Sequence, residues 1–207
     1  MGDPKNIFVI GAQCTGKSTL VNGLEGHFSQ SLSLAPSPSI IREVARSVLH
    51  KYGFTRDDIL NSPERALQLQ EKILEAQFEA EGAILDDLTT KWYISDRSGL
   101  DPIVYAYLYV SEESAQRLLA SPIWTALESN MKGGLVILCE AGCSWLVDDG
   151  TRLMPKDDKD WERVDLAFRM LLDMRDIEYI LLPRDMKDLE RRIEIVVEAH
   201  GSQVHGM

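Results

Sequence analysis

Short apolar runs alternate along the chain with longer amphipathic stretches. Each run is brief, rich in Val, Ile and Leu, and bounded by glycine or polar residues, which is the pattern of a β-strand. We predict strands over residues 6–10, 40–41, 92–95, 135–139 and 179–182. Residues 135–139 are apolar without interruption, and such a run indicates a strand that is buried on both faces of a sheet.

The stretches between these runs carry apolar residues at helical spacing. Helices are expected over residues 17–24, 61–85, 161–174 and 186–199. The second of them begins with Asn-Ser-Pro-Glu, which is a helix start because Ser caps a helix, Pro is tolerated in the first turn and an acid suits the positive end of the dipole. Asp101-Pro102 and Ser121-Pro122 predict two further helix starts.

The alternation of strands and helices predicts the fold class. Parallel strands need crossover connections, which are usually helices, so the pattern indicates an α/β fold with a three-layer, doubly wound, five-stranded parallel sheet. We expect residues 1–200 to form a single domain, because a chain of 207 residues supports one well-packed core. Residues 140–160 are rich in Gly, Asp and Lys and are interpreted as a mobile lid. Residues 201–207 are expected to be a flexible tail.

Charge and composition exclude several classes of partner. The net charge of -11 repels nucleic acid and anionic membranes, so we expect neither as a partner. The sequence contains no run of 18 apolar residues, and its first five residues lack the basic start of a secretory signal, so we expect a cytoplasmic protein. A small molecule is the expected substrate, and the sequence leaves a monomer and a homodimer open.

A glycine-rich motif lies between the first predicted strand and the first predicted helix. Residues 11–18 read Gly-Ala-Gln-Cys-Thr-Gly-Lys-Ser and match the phosphate-binding pattern G-x-x-x-x-G-K-[ST]. Main-chain N–H groups and the helix N-terminus hold phosphates there, the lysine reaches the outer phosphates and the serine ligates Mg²⁺. The residues assigned to the nucleotide are those of the motif and the one after it: Gly11, Ala12, Gln13, Cys14, Thr15, Gly16, Lys17, Ser18 and Thr19. We therefore expect a P-loop NTPase fold that binds a nucleoside triphosphate and Mg²⁺. ATP is expected rather than GTP, since no Asn-Lys-x-Asp guanine signature occurs in the sequence.

Phosphoryl transfer also needs a carboxylate for the metal and groups that handle the acceptor. Asp96 follows a predicted strand, and the carboxyl ends of strands face the ligand crevice of a doubly wound sheet. Asp96 is therefore our candidate magnesium ligand. Lys17 and Asp96 are both candidate catalytic residues. The alternative for Asp96 is a cap on the following helix. Glu43 follows the second predicted strand and is our candidate to orient the acceptor hydroxyl. Its alternative is a surface ion pair with Arg42 or Arg46.

Cations and aromatic residues in and around the predicted lid offer further contacts. Arg152 is our candidate to close over the phosphates, and Arg163 is a second one, with a solvated charge run as the alternative for both. Trp145 and the tyrosines of one predicted helix are candidates for stacking on a base, with core packing as the alternative. Those tyrosines are Tyr105, Tyr107 and Tyr109.

Four segments carry a family resemblance: residues 8–20, 42–46, 94–97 and 144–152. Together they resemble the NadR-type nicotinamide riboside kinase domain and its AAA-like relatives, and the resemblance covers most of the chain. The fourth segment, Ser-Trp-Leu-Val-Asp-Asp-Gly-Thr-Arg, contributes most, because a tryptophan followed by Asp-Gly-Thr-Arg is similar to the segment before the lid in that family. The triplet Asp96-Arg97-Ser98 is more similar to deoxynucleoside kinases.

The resemblance implies a function as well as a fold. It implies ATP-dependent phosphorylation of the ribosyl 5′-hydroxyl of nicotinamide riboside or a similar nucleoside, with Asp96 near magnesium and the attacking hydroxyl, and Arg152 near the phosphates. A second class of function stays open: a regulatory module that binds ATP or GTP, hydrolyses it slowly and docks a partner protein. Both classes need Lys17 and Ser18, but only a kinase needs a pocket for an acceptor.

Overall fold

One parallel sheet organises the computed structural model, which describes residues 4–30, 37–87, 92–142 and 157–205. Its strands are β1 (Ile7–Ile10), β2 (Ser39–Ile41), β3 (Tyr93–Asp96), β4 (Leu135–Cys139) and β5 (Tyr179–Leu182). Their order across the sheet is β2-β3-β1-β4-β5, and each neighbouring pair is parallel. The predicted five-stranded parallel sheet is confirmed.

Helices connect the strands. Within the described ranges they are α1 (Lys17–Gln30), α2 (Val44–Tyr52), α3 (Arg56–Asn61), α4 (Pro63–Leu85), α5 (Leu100–Tyr109), α6 (Glu112–Leu119), α7 (Pro122–Gly133), α8 (Asp158–Met174) and α9 (Leu189–His205). None of the helices in this part of the chain is both long enough and apolar enough to cross a membrane.

Two helices begin where the sequence predicts a capped start. The hydroxyl of Ser62 accepts a hydrogen bond from the N–H three residues further on, at 3.3 Å, and Ser121 does the same at 3.2 Å. Two other helices, α3 and α6, were not predicted. They also begin after capping side chains, Thr55 and Ser111, but they have only 6 and 8 residues, too few for apolar spacing to identify them.

The last two helices differ from their predicted bounds. Helix α8 begins at Asp158, because the side chain of Asp157 accepts a hydrogen bond from the N–H of Asp160 at 2.8 Å and caps it. Helix α9 continues to His205, so the backbone of residues 201–205, expected to be flexible, is helical. A single glycine at 201 weakens a helix without ending it.

Residues 140–160, the predicted lid, are described only at their two ends. Strand β4 ends at Cys139, and residues 158–160 already belong to α8. Residues 143–156 lie outside the described residues, and with them Trp145 and Arg152.

Alternate residues of the central strands face opposite helical layers. Ile7 and Val9 of β1 pack with α1 and α9 on one side of the sheet, whereas Phe8 and Ile10 pack with α4, α5 and α8 on the other. All four side chains are fully buried. The sheet is therefore covered on both faces, which confirms the three-layer arrangement. The register pairs Val9 with Asp96, so β1 and β3 end at the same edge.

Candidate active site

The glycine-rich turn leads from β1 into α1 at the carboxyl edge of the sheet, and we call residues 11–19 the phosphate loop. Gly11 has a φ of 130° and Gly16 a φ of 80°, which side chains rarely allow. A Cβ atom at Gly11 would also overlap the carbonyl oxygen of Cys139. The curvature of the loop therefore depends on the glycines of the motif.

Two side chains of the phosphate loop bind its own backbone. The hydroxyl of Thr15 donates to the carbonyl of Ala12 at 3.0 Å, and the ammonium of Lys17 donates to the same carbonyl at 2.5 Å. These two bonds hold the carbonyl of Ala12 in place, and they keep the lysine ammonium against the backbone of the loop.

Two buried residues from distant helices support the loop from outside, and sequence reasoning missed both. The indole N–H of Trp161 in α8 donates to the carbonyl of Gln13 at 2.9 Å. The guanidinium of Arg192 in α9 donates to the carbonyl of Thr15 at 3.1 Å and lies 3.1 Å from the sulfur of Cys139. Apolar spacing predicted the helices that carry them, but it does not reveal which polar side chain of a helix turns inward.

A cavity opens above the phosphate loop, and we call it the loop cavity. It is lined by Cys14, Thr15, Gly16, Lys17, Ser18, Thr19 and Arg97. Burial, and after it the positive charge of Arg97, lower the pKa of Lys17 from its ordinary 10.5 to about 8. The cavity therefore holds cationic side chains that lack water around them, and such groups attract a polyanion strongly.

Ser18 and Asp96 meet at the edge of the loop cavity. The Ser18 hydroxyl donates to Oδ2 of Asp96 at 2.5 Å. Asp96 is 3 % exposed, and its Oδ1 has no hydrogen-bond partner among the described residues. One carboxylate oxygen and one hydroxyl oxygen are donors that Mg²⁺ prefers, so the pair fits this metal when nucleotide phosphates supply further oxygens. In the described ranges, no group of three or more His, Cys, Asp or Glu residues is arranged so that it could hold a metal ion by itself.

The alternative interpretation of Asp96 as a helix cap does not agree with the hydrogen bonds. Near the start of α5, the carboxylate of Asp101 accepts from the N–H of Ser98 at 2.8 Å and from the Ser98 hydroxyl at 3.2 Å, and the Ser98 hydroxyl accepts from the N–H of Leu100 at 3.1 Å. The Asp96 carboxylate instead accepts from Ser18 across the sheet edge.

Glu43 lies beside the loop cavity through a buried ion pair with Arg97. The two side chains are 2.7 Å apart, and Arg97 also contacts Asp101 at 3.1 Å. Glu43 contacts Arg46 at 2.9 Å as well, so one of the predicted surface pairs forms. Arg42 turns away and pairs with Glu25. Glu43 is therefore held by cations on two sides, with its carboxylate mostly buried.

Arg97 is the residue on which these contacts converge. Its φ is 89°, a backbone conformation that costs energy for any residue except glycine. Burial alone lowers the pKa of Arg97, but the carboxylates of Glu43 and Asp101 outweigh burial, so its pKa is raised well above the ordinary value. Arg97 therefore remains charged and fixed.

A second cavity, which we call the side cavity, adjoins the first. Apolar residues of α2 and α4 form much of its wall, including Leu49, Leu69 and Ile73. Its polar residues include Gln13, Glu43, Gln70, Arg97 and Tyr105. Because Arg97 lines both cavities, the side cavity lies next to the phosphate loop.

Of the predicted aromatic and cationic contacts, Tyr105 lines the side cavity, whereas Tyr109 and Arg163 do not. Tyr105 lines the side cavity, and its hydroxyl donates to Oε1 of Gln13 at 2.9 Å. Tyr109 stacks against Tyr105 with ring centres 5.7 Å apart. Arg163 lies over the ring of Tyr109 and contacts Asp160 at 3.4 Å. It is not among the residues that line the loop cavity.

Comparison with known proteins gives matches over most of the chain. A family model described as an AAA domain matches residues 6–192. A crystal structure of NadR protein in complex with NR is 20% identical, with a TM-score of 0.68, and the match covers 96% of this chain and 52% of that chain. Deoxyadenosine kinase from M. mycoides with bound dATP is 15% identical, with a TM-score of 0.68, and covers 95% of this chain and 100% of its own. Thymidylate kinase from Ehrlichia chaffeensis is 13% identical, with a TM-score of 0.63 and coverage of 96% and 99%.

These matches confirm the resemblance to NadR-type and nucleoside kinase structures that the sequence segments carry. The chain spans about half the length of the NadR chains that it matches. At sequence identities of 13–20%, these matches show a shared fold. No curated protein sequence matches the chain.

Proposed function

The chain belongs to the AAA domain family, and on that premise we propose that it is a kinase that transfers the γ-phosphoryl group of ATP to a hydroxyl group of a nucleoside-like molecule. One observation carries the proposal: the loop cavity and the side cavity share Arg97. A phosphoryl group held in the first cavity lies next to an acceptor held in the second, which is the arrangement that direct transfer requires.

The phosphate loop suits MgATP. Lys17 offers its ammonium to the outer phosphates, and Ser18 and Asp96 are the residues that would hold Mg²⁺. The unpartnered Oδ1 of Asp96 supports this assignment, because a buried carboxylate oxygen without a partner is costly unless something binds it. When bound, the metal neutralises charge on the β- and γ-phosphates.

The side cavity suits a neutral acceptor with a flat ring. Apolar side chains such as Leu69 and Ile73 offer contact area to a ring, and the buried amide of Gln70 offers one donor and one acceptor to polar atoms at the ring edge. Arg97 lies where the two cavities join, and its ion-pair partner Glu43 lines the side cavity. The proposal therefore assigns ring binding to α4 and the handling of the phosphoryl group to the charged residues Glu43 and Arg97.

Glu43 is the candidate to orient the acceptor hydroxyl. Its carboxylate accepts the hydroxyl proton as the acceptor oxygen bonds to the γ-phosphorus and the bond to the bridging oxygen of ADP breaks. Arg97 stays charged beside both groups and stabilises the negative charge that develops between them. We keep Arg152, outside the described residues, as the candidate to close over the phosphates.

We also propose that residues 1–200 act as a single domain, which is supported by the packing of the described helices on one sheet. A kinase of this type works where ATP and Mg²⁺ are abundant, so the cytoplasm is the location that the proposal implies.

A nucleoside panel tests the proposed function. Purified protein is incubated with MgATP and each ribonucleoside or deoxynucleoside in turn, including nicotinamide riboside, and ADP release is followed with a coupled assay. We expect at least one compound to accelerate ADP release and to yield a 5′-phosphate that mass spectrometry identifies. ADP release that stays flat across the panel would favour the regulatory module over the kinase.

A further inference from the structure

The residues of the phosphate loop divide between the two cavities. Those from Cys14 to Thr19 line the loop cavity, whereas Gln13 lines the side cavity. Gln13 therefore belongs to the phosphate loop in sequence but lines the cavity proposed for the acceptor. We propose that Gln13 is a specificity residue whose amide hydrogen-bonds a sugar hydroxyl of the acceptor, an inference that rests on the proposed kinase function.

The amide of Gln13 has one satisfied end and one unsatisfied end. The hydroxyl of Tyr105 donates to Oε1 at 2.9 Å. Nε2 has no hydrogen-bond partner among the residues that the structure describes, although Gln13 is only 1 % exposed. A buried amide nitrogen without a partner is unfavourable, and a ligand oxygen in the side cavity relieves that cost.

Contacts on both sides fix the position of this amide. Tyr105 of α5 holds the side chain, and the indole of Trp161 in α8 holds the Gln13 carbonyl at 2.9 Å. A donor whose backbone and side chain are both anchored loses little entropy when it binds a ligand, so it discriminates well between ligands that have the matching oxygen and ligands that lack it.

The position of Gln13 indicates which part of the acceptor it meets. It belongs to the phosphate loop, so a contact there lies near the end of the acceptor that receives the phosphoryl group. Gln70 on α4 lines the same cavity and is the amide available to the ring. In a nucleoside phosphorylated on its 5′-hydroxyl, the groups near the reacting end are the sugar hydroxyls, which are neutral and suit a neutral amide.

The two groups around Gln13 permit a matched pair of variants. Gln13→Met removes the amide and keeps the approximate size of the side chain. Tyr105→Phe removes only the hydroxyl that holds the amide and leaves Nε2 in place. Both variants break the Tyr105 to Gln13 hydrogen bond, so a difference between them reports on the amide itself.

The test uses three compounds built on the base that the panel selects: the ribonucleoside, its 2′-deoxy analogue and its 3′-deoxy analogue. For the unmodified protein we expect removal of one of the two hydroxyls to lower kcat/KM about tenfold. For Gln13→Met we expect about the same loss with the ribonucleoside and no further loss with that deoxy analogue. Tyr105→Phe should keep its dependence on the hydroxyl. This non-additivity is the signature of a direct contact, which a structural role does not produce.

Several results would overturn the inference. It fails if Gln13→Met keeps the full tenfold dependence on the hydroxyl, or if neither hydroxyl matters to the unmodified protein. Should Gln13→Met not fold, Gln13→Asn shortens the same amide and is tested with the same compounds and the same expectation. If the unmodified protein phosphorylates no nucleoside, the proposed function itself is wrong and the inference falls with it. Turnover with an unchanged hydroxyl dependence rejects only the role of Gln13.

Discussion

The loop cavity and the side cavity lie next to each other, but the chain builds them in different ways. The loop cavity comes almost entirely from residues 14–19, with Arg97 as its one lining residue from elsewhere in the described chain. The side cavity draws its polar residues from several distant parts of the chain: the phosphate loop, the segment after β2, α2, α4, the segment after β3, and α5. Nucleotide binding is thus a local property of a short segment, whereas acceptor binding depends on how distant elements pack.

The two cavities also differ in charge. Lys17 is a buried cation that lines the loop cavity, and Arg192 is a buried cation on the outer side of the phosphate loop, where its guanidinium contacts a carbonyl and a thiol among the described residues. In the side cavity the guanidinium of Arg97 is balanced by Glu43 and Asp101 at 2.7 and 3.1 Å. The first arrangement suits a polyanion and the second a neutral molecule. Substitutions of residues that line only one cavity should therefore leave binding in the other largely intact.

The largest effect is expected for Lys17→Ala. Removing the ammonium from a buried phosphate site should lower kcat/KM for ATP about 1,000-fold, because the charge stabilises the transferring group where water is excluded. Nucleotide binding by calorimetry and ADP release measure the loss. Lys72→Ala is the control, since Lys72 pairs with Glu75 at 2.6 Å on the exposed side of α4. Values for Lys17→Ala that equal those of the control would contradict the assigned role.

Asp96→Asn tests whether Asp96 holds Mg²⁺ at the edge of the loop cavity. The amide keeps the size of the side chain and the contact with Ser18 but loses the charge that binds Mg²⁺, so kcat should fall about 300-fold. Thermal unfolding should show that the fold is kept, and the magnesium concentration needed for half-maximal rate should rise. A variant with unchanged turnover and magnesium dependence would remove Asp96 from the site.

The difference between the cavities also explains what the sequence alone could predict. Residues 11–18 are consecutive, so their sequence alone predicts the shape of the phosphate loop. The capped helix start at Ser62 is predictable for the same reason, because it also depends only on neighbouring residues. Gln70, Trp161 and Arg192 were not identified, because each is one polar residue within an amphipathic helix. Packing of the helices against the sheet decides which polar side chains of a helix turn inward.

The acceptor side is tested by Glu43→Gln. This change keeps a hydrogen-bonding side chain beside Arg97 but removes the base that takes the hydroxyl proton, so kcat for the acceptor should fall about 100-fold. Affinity for MgATP should stay within about twofold because the phosphate loop is untouched. Glu25→Gln is the matched control, since Glu25 on α1 pairs with Arg42 and neither residue lines either cavity. A large loss of ATP affinity in Glu43→Gln would show that the two cavities are not separable.

The smallest effect, which also concerns the phosphate side, is the pH dependence of nucleotide affinity. Burial, and then the charge of Arg97, lower the pKa of Lys17 to about 8, so above pH 8 much of the free protein has a neutral lysine. Bound phosphates favour the charged form, so ATP binding above pH 8 takes up a proton. Affinity for MgATP should therefore fall above pH 8, approaching about tenfold per pH unit for one proton.

The sign of this effect separates Lys17 from other groups. The pKa of Lys17 is lower in the folded protein than its ordinary 10.5, so the unfolded chain binds more protons between pH 8 and 10.5. The Lys17 contribution to the stability of the nucleotide-free protein should therefore rise with pH across that window, while ATP affinity falls. Calorimetry in buffers of different ionisation enthalpy measures the proton uptake directly. In Lys17→Arg the guanidinium stays charged, so the uptake should vanish there. If it persists in that variant, another group is responsible and the phosphate loop does not carry the pH dependence.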